Sequence, residues 1–182
     1  PLTAISEQFA ATADSGGNAY AFDTFAHGDV TVSLSATNKL DKAGVKETRY
    51  SVDDATCNDT TPDNCETYSG PISITASGVH TLAFLTSNLK GNFERVQSVQ
   101  VKIDKPVASD GSVITTVSKA VDAQVQATTP DSSDQLTYAI VNQPAHGTVT
   151  LTDEHTGAFT YTPADRYVGG DAFTFMLNNS FL

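Results

Sequence analysis

Alternation of apolar and polar residues runs through the whole chain and predicts β-strands. The clearest run is Val30–Thr37, in which Val30, Val32 and Leu34 share one face and hydroxylated residues occupy the other. Successive side chains of a strand point to opposite faces, so this run predicts one buried and one solvated face. No segment keeps apolar residues at the i, i+3, i+4, i+7 spacing of an amphipathic helix. The chain is therefore predicted to be all-β.

Further runs of this kind recur at intervals of about 8–12 residues, with turn residues between them. We predict strands at residues 4–11, 46–52, 72–74, 79–87, 96–103, 113–117, 121–127, 136–140, 148–152, 159–161 and 173–177. Short strands at this spacing, separated by turns, are typical of antiparallel β-sandwiches.

A boundary between two domains is predicted near the middle of the chain. The run of Val99, Val101 and Ile103 ends at Pro106, because proline has no N–H to donate to a neighbouring strand. Turn residues 109–111 follow before the next apolar run. A chain of 182 residues is long enough for two domains. We predict two antiparallel Greek-key β-sandwiches in series, at residues 1–104 and 105–182.

Composition excludes some function classes. The chain has 10 basic and 21 acidic residues, a formal charge of −11 at pH 7. Nucleic-acid binding needs basic surfaces, so no nucleic-acid partner is expected. No apolar run approaches the roughly 20 residues of a membrane-spanning helix. The chain begins at Pro1 without a signal-peptide pattern, and we interpret it as a mature or excised piece.

Several short segments of the first half stand in a characteristic order. They are residues 28–37, 44–46, 49–53, 68–72, 78–82 and 91–94. On these segments the first half, over roughly residues 20–104, resembles the bacterial immunoglobulin-like (Ig-like) domains of secreted and surface proteins.

The second half carries a different series, at residues 136–141, 144–149, 157–163 and 171–175. Over residues 106–178 it resembles the cadherin-like tandem repeats of large bacterial adhesins. The resemblance implies an extracellular or cell-surface location. It also implies partners among neighbouring Ig-like or cadherin-like domains of the same or adjacent chains, and an extracellular polymer or cell surface as the ligand.

Calcium is the cofactor that the cadherin-like resemblance implies. Asp134 and Asp171 match aspartates of the repeat, whereas Asn179 stands where the family usually has aspartate. Two acids near the domain boundary, Asp104 and Asp110, complete the candidate ligand set. Calcium takes six to eight oxygen ligands, so this depleted set leaves two alternatives open, a calcium-stiffened and a calcium-independent module.

Two cysteines and a group of acids share one loop of the first half. Cys57 and Cys65 are predicted to form a structural disulfide, as nearby cysteines do in secreted proteins. A reactive pair is disfavoured, because no Cys-x-x-Cys spacing and no flanking basic residue is present to lower a thiol pKa. The acids of the loop could converge on a cation, and the alternatives are a solvated loop held by the disulfide or a recognition surface. These acids include Asp54, Asp59, Asp63 and Glu66.

Catalytic and zinc-binding patterns are absent from the sequence. It has no nucleophile elbow and no phosphate-binding glycine loop. Its four histidines, His27, His80, His146 and His155, are too scattered for a zinc site. We predict a non-catalytic extracellular module of a bacterial surface protein, stalk or filament, with a structural or adhesive role.

Two alternatives come from other functional classes. Tyr20, Phe22, Phe25 and Tyr68 could stack on sugars in an accessory module of a secreted hydrolase. The second alternative starts from the cadherin-like pattern, which continues past Leu182 with one more strand. Either the given sequence stops before a strand of the same chain, or a neighbour supplies the strand and the chain is a subunit of an extracellular fibre.

Overall fold

The computed structural model describes residues 6–13, 18–37 and 44–179. This part of the chain is all-β, as the alternation predicted, apart from one turn of 3₁₀-helix at Pro62–Asn64. The chain divides into two compact units, Pro1–Lys105 and Pro106–Leu182.

The first unit contains nine strands in two sheets. They are β1 (Ser6–Ala13), β2 (Asn18–Ala19), β3 (Phe25–Ala26), β4 (Val30–Thr37), β5 (Val45–Val52), β6 (Glu66–Thr67), β7 (Ile72–Ile74), β8 (Gly78–Asn88) and β9 (Gln97–Ile103). One sheet has the order β2-β1-β4-β7 and the other β3-β9-β8-β5-β6. Only the short β3–β9 pair is parallel among these ladders.

Apolar side chains from both sheets form the core of the first unit. The buried members are Ala26, Val30, Val32, Leu34, Ile72, Ile74, Leu82, Phe84, Val101 and Ile103. Two sheets that bury facing side chains in this way make a β-sandwich. Complete burial of a Val, Leu, Ile or Phe side chain contributes about 1.5–3 kcal/mol, so this core is the main source of stability.

The second unit contains seven strands in three small sheets. They are β10 (Val107–Ser109), β11 (Val121–Gln124), β12 (Gln126–Thr128), β13 (Leu136–Asn142), β14 (Gly147–Asp153), β15 (Ala158–Pro163) and β16 (Thr174–Asn179). The sheets are β11-β15-β14, β13-β16 and β10-β12, all antiparallel. Val125 interrupts the predicted strand at 121–127 and donates its N–H to the carbonyl of Gly157.

The core of the second unit is smaller than that of the first. Its buried members are Val125, Tyr138, Val149 and Phe159. Other apolar side chains around them, among them Phe173 and Phe175, are only partly buried.

The predicted strand at residues 113–117 is wrong. Residues 110–120 form no strand, and the side chain of Ile114 is 92 % exposed. The sequence Val-Ile-Thr-Thr-Val has high β-propensity, but propensity forms a strand only where a neighbouring strand pairs with it. Within the described residues, none does.

Candidate functional site

The acidic loop, defined here as residues 53–66, follows β5 and runs into β6. A disulfide joins Cys57 to Cys65, the pairing that the sequence predicts, and brings their Cα atoms to 4.8 Å. Both cysteines are buried. The loop is thus closed at its base by a covalent bond that water does not reach.

A second, smaller apolar cluster anchors the acidic loop to the outer face of the sheet. Leu85 follows Phe84 on β8 and therefore points away from the main core. Leu85 is nevertheless fully buried, because the disulfide and the ring of Phe93 pack over it. The acidic loop therefore covers part of the sheet that would otherwise face solvent.

Arg49 of β5 holds the middle of the acidic loop. One guanidinium nitrogen, Nη1, donates to the carbonyl of Pro62 (2.7 Å) and to Oδ1 of Asp63 (2.8 Å). Nη2 lies 3.4 Å from a carboxylate oxygen of Glu47, and the guanidinium carbon lies 5.2 Å from the centroid of the Phe93 ring. The hydrogen bond with Asp63 raises the pKa of Arg49. Arg49 is thus a fixed cation beneath an acidic surface.

Side-chain turns within the acidic loop fix its backbone. Oδ1 of Asp54 accepts hydrogen bonds from the Oγ1 (2.7 Å) and N–H (2.8 Å) of Thr56. The Thr56 hydroxyl and amide together lower the pKa of Asp54. Oδ1 of Asn58 accepts in the same way from the N–H groups of Thr60 (3.0 Å) and Thr61 (3.1 Å). Such local bonds replace the pairing that a strand would provide.

The first residue of the loop, Asp53, is fastened to β8. Its φ of 59° lies in the left-handed region. Its carboxylate accepts from the N–H of Thr81 and lies 2.7 Å from Nδ1 of His80, whose Nε2 lies 2.9 Å from the carbonyl oxygen of Ala76. Burial raises the pKa of Asp53, but the hydrogen bonds from His80 and Thr81 outweigh it and lower that pKa overall.

The acids of the loop do not converge on one point. Asp54 bonds to Thr56, Asp63 to Arg49 and Glu66 to the hydroxyl of Tyr50 (2.9 Å), while the side chain of Asp59 is exposed. No three carboxylate, histidine or cysteine ligand atoms of the described loop residues lie within 4.8 Å of one another. The loop therefore presents a preorganised acidic surface and has no assembled cation cage.

Asp171, one of the candidate calcium ligands, binds protein groups. Its carboxylate accepts from the backbone N–H groups of Ala145 (2.9 Å) and His146 (3.0 Å) and from the hydroxyl of Tyr161 (3.0 Å). Burial raises the pKa of Asp171, but these bonds and the N–H of Ala172 outweigh it and lower that pKa. The carboxylate therefore pins the turn before β14.

The atoms around Gly147, in the same turn, explain why this residue is a glycine. A Cβ atom at Gly147 would lie 2.4 Å from the ring of Tyr161 and 2.8 Å from the carbonyl oxygen of Thr162. Beside the turn, the rings of His146 and Tyr167 stack with centroids 4.2 Å apart. The turn at residues 144–147 is thus held in place by Asp171 and by the rings of Tyr161 and Tyr167.

Asp134 lies far from Asp171. Oδ2 of Asp134 accepts from the amide of Asn179, which pairs with Leu136 at one end of the β13–β16 ladder. Asp171 precedes β16 and lies at the other end. A ladder of six to seven residues at about 3.4 Å per residue separates the two by about 20 Å. They do not contribute to one calcium site.

The two boundary acids occupy different surroundings. Asp104 belongs to the first unit and is buried, with Oδ2 3.7 Å from Nδ1 of His27 and its N–H bonded to the carbonyl of Ala26. Asp110 belongs to the second unit and is exposed.

Three of the four aromatic residues predicted as a sugar platform contribute to packing. Tyr20, Phe22 and Tyr68 pack against the first core. The hydroxyl of Tyr20 accepts from the N–H of Lys102 (2.9 Å), and that of Tyr68 accepts from the N–H of Leu34 (3.0 Å). These three rings are therefore used by the fold itself.

Sequence reasoning missed the residues that hold the acidic loop. In the sequence, Arg49 looks like an ordinary strand residue and Phe93 looks like a turn residue. Glu94 read as polar, yet it is buried and its carboxylate accepts from the hydroxyl (2.6 Å) and N–H (3.1 Å) of Thr86. The sequence carried one signal for these contacts. Phe84 and Leu85 are consecutive apolar residues that interrupt the alternation, which indicates a strand buried on both faces.

The fold and these sites define an all-β protein whose polar side chains mainly fasten loops. Comparison with known families agrees, because residues 103–181 match the family model described as a bacterial Ig domain. Over these residues the second unit is thus similar to bacterial Ig domains. The match covers less than half of the 182 residues. No curated protein and no solved structure matches the chain.

None of the described residues belongs to a helix long and apolar enough to span a bilayer.

Proposed function

We propose that this chain is a non-catalytic structural and adhesive module of a bacterial surface protein, stalk or filament. The observation that carries the proposal is the bacterial Ig domain match over residues 103–181, since such domains are typically extracellular structural modules. The cadherin-like resemblance of the same residues adds the context of a large adhesin. The carboxylates with defined geometry bind hydroxyls, amides and cations of the protein itself, which suits a structural role.

Within this proposal the acidic loop is the recognition surface. Loops that a scaffold holds in one conformation commonly carry binding residues. The disulfide, Arg49 and the Asp54 turn hold this loop, and Asp59 and the almost fully exposed Asp63 face solvent. A basic patch on a cell surface or extracellular polymer is the complementary ligand.

Mechanical unfolding tests the structural part of the proposal. The full chain, tethered at both ends between handles, should unfold in two separate events when pulled. At about 3.4 Å per residue, the 77 residues of Pro106–Leu182 release about 25 nm of chain. The increment of the first unit should lengthen after reduction, because the disulfide shields the loop from extension. Gradual extension without discrete events would contradict a load-bearing role.

Localisation tests the surface part. Antibodies raised against the folded chain should label intact cells of the source organism, and protease treatment of those cells should remove the label. Labelling that requires permeabilised cells would contradict a surface location.

A further inference from the structure

The segment that follows β10 contains the only Asp-Gly pair of the sequence, Asp110-Gly111. β10 ends at Ser109, and residues 110–116 belong to no strand, helix or turn. Both residues of the pair are exposed, and a Cβ atom added at Gly111 would have no other atom within 4 Å. The pair therefore lies in irregular backbone with open space around it.

An aspartate that precedes glycine can react with its own backbone. The main-chain nitrogen of the next residue lies close to the carboxyl carbon Cγ, and a bond between the two atoms closes a five-membered imide ring. The reaction requires a side chain that is free to rotate toward this nitrogen, and an N–H group that no other bond holds. Glycine favours the approach because it has no Cβ atom.

Asp110 and Gly111 meet both requirements. Among the described residues, none forms a hydrogen bond or an ion pair with the Asp110 carboxylate, and none accepts a backbone hydrogen bond from the N–H of Gly111. The first described hydrogen bond further along the chain joins the hydroxyl of Thr115 to the carbonyl of Lys119 (2.7 Å). The reacting groups are thus not engaged elsewhere.

The other described aspartates that precede alanine or serine are held by hydrogen bonds. Oδ1 of Asp131, which precedes Ser132, accepts from the N–H (2.9 Å) and the hydroxyl (2.6 Å) of Ser133. To reach its own backbone, such a carboxylate has to give up bonds that Asp110 does not make. The remaining carboxylates held by hydrogen bonds are those of Asp54, Asp122 and Asp171.

We propose that Asp110 is a site of self-modification, at which the chain converts this aspartate into isoaspartate through the cyclic imide. In the first step the nitrogen of Gly111 bonds to Cγ of Asp110, and the hydroxyl of the neutral carboxyl group leaves as water with the proton of that nitrogen. In the second step water adds to the main-chain carbonyl carbon of the ring and breaks its bond to the nitrogen. The main chain then runs through Cγ, and the former main-chain carbon is a free carboxylate.

The product has one more methylene group in its main chain directly after β10, with unchanged mass. The strand itself is not altered, because its last pair joins Ser109 to Gln126. The reaction needs no reagent except water, so the modified fraction increases with the age of the molecule. The proposal rests on local geometry and does not depend on the proposed surface role.

Water enriched in oxygen-18 detects the reaction, because each opening of the ring inserts one oxygen atom from the solvent. The full chain and a synthetic peptide of residues 107–114 are incubated in this water at neutral pH. Mass spectrometry of peptide fragments locates the label, and electron-transfer fragmentation distinguishes isoaspartate from aspartate. The label should enter Asp110 of the full chain within threefold of the peptide rate, with isoaspartate forming at the same position.

Asp131 serves as the internal control for the effect of the fold. In the folded chain its label should appear at least tenfold more slowly than that of Asp110. In urea, where the bonds from Ser133 are lost, labelling of Asp131 should accelerate at least threefold, whereas the rate at Asp110 should stay the same. This comparison separates restraint by the fold from the intrinsic difference between the Asp-Ser and Asp-Gly sequences.

Three variants test the chemistry. Gly111→Val should slow labelling of residue 110 at least tenfold, because a β-branched side chain hinders the approach of the nitrogen to Cγ. Ser112→Val makes a similar change one residue further along the same exposed segment and should leave the rate within twofold. Asp110→Glu should abolish the labelling, because the ring would then need six members.

Three results would overturn the proposal. A rate at Asp110 at least tenfold slower in the full chain than in the peptide would show that the fold restrains this residue. Equal rates in Gly111→Val and the unmodified chain would show that the label enters by a route other than the imide. Label without isoaspartate would show that the ring opens only back to aspartate.

Discussion

The two units use the same alternation of residues but enclose their cores to different degrees. In the first unit ten buried residues from two sheets form one core, and Phe84 at its centre is 1 % exposed. In the second unit the apolar core has four buried members, and the phenylalanines beside β16 border an open groove. The difference shows that an alternating pattern specifies the inward face of a strand, whereas burial of that face depends on the strands and loops packed around it.

The largest expected effect comes from removing a core ring in each unit. Phe84→Ala should destabilise the first unit by about 3–5 kcal/mol, because it leaves a closed cavity. Phe173→Ala should cost the second unit about 1–2 kcal/mol, because that ring is only partly buried and water can enter the space. Urea unfolding followed by NMR signals of each unit measures both values. Equal losses would mean that the second core is as closed as the first.

Loss of the disulfide should have a smaller effect, confined to the first unit. Closure of this loop is worth about 2–3 kcal/mol on the chain-entropy model. The Cys57→Ser, Cys65→Ser double variant should therefore unfold at lower urea in the first unit alone. Reduction of the unmodified chain provides the control, since it has two cysteines and both are in this bond. A shift in the second unit would contradict the assignment of the loop.

The turn before β14 tests packing around a glycine, where the structure leaves no space for a larger side chain. Gly147→Ala should destabilise the second unit by about 1–3 kcal/mol, because the added methyl would overlap the Tyr161 ring. Gly111→Ala is the matched control, with no atom within 4 Å of the added Cβ. The same urea measurement compares the two, and a neutral Gly147→Ala variant would show that the turn is loosely packed.

The smallest expected effect is a pH dependence of the second unit. The pKa of Asp171 is lowered in the folded state, so the stability it contributes is present above the unfolded pKa of about 3.9. That contribution is lost as pH falls through the folded pKa. Asp171→Asn should therefore lower the thermal midpoint of the second unit at neutral pH and reduce its decline toward about pH 3. Asp110→Asn removes an exposed charge as the control.

The same comparison of Asp171→Asn with the unmodified chain, repeated with and without calcium, tests whether Asp171 binds this ion. The hydrogen bonds of Asp171 belong to protein groups, so the loss in Asp171→Asn should be equal with excess calcium and with chelator. A loss seen only with calcium would restore Asp171 as a metal ligand.

The sequence alone predicted those strands whose partner strands in the fold also alternate apolar and polar residues. The runs at Val30, Val99 and Tyr138 became β4, β9 and β13 because one face of each meets a core. The run at 113–117 is also rich in β-branched residues, but no strand among the described residues pairs with it. Whether a pairing strand exists cannot be derived from a local pattern. The disulfide was predictable because its two cysteines are close in sequence.

The contacts of the acidic loop could not be predicted in the same way. Arg49 meets Pro62 and Asp63 only because the loop folds back over the outer face of β5 and β8. The prediction of Asp171 as a calcium ligand came from the family resemblance, whereas its bonds to N–H groups of a turn about 25 residues earlier in the chain follow from the fold. Hydrogen bonds over such separations follow from tertiary structure and leave no local signal.

The exposed stretch at residues 110–117 also determines where the chain is open to cleavage. Proteases cut extended, solvent-exposed segments that fit their active sites, and this stretch has no strand partner among the described residues. The residues of the first core all precede it and those of the second all follow it. A single nick there would therefore leave the residues of both cores uncut but would separate β10 from its partner β12. One proteolytic event would thus release a fragment that keeps the acidic loop and its disulfide, together with β10, from a second-unit fragment that lacks this strand.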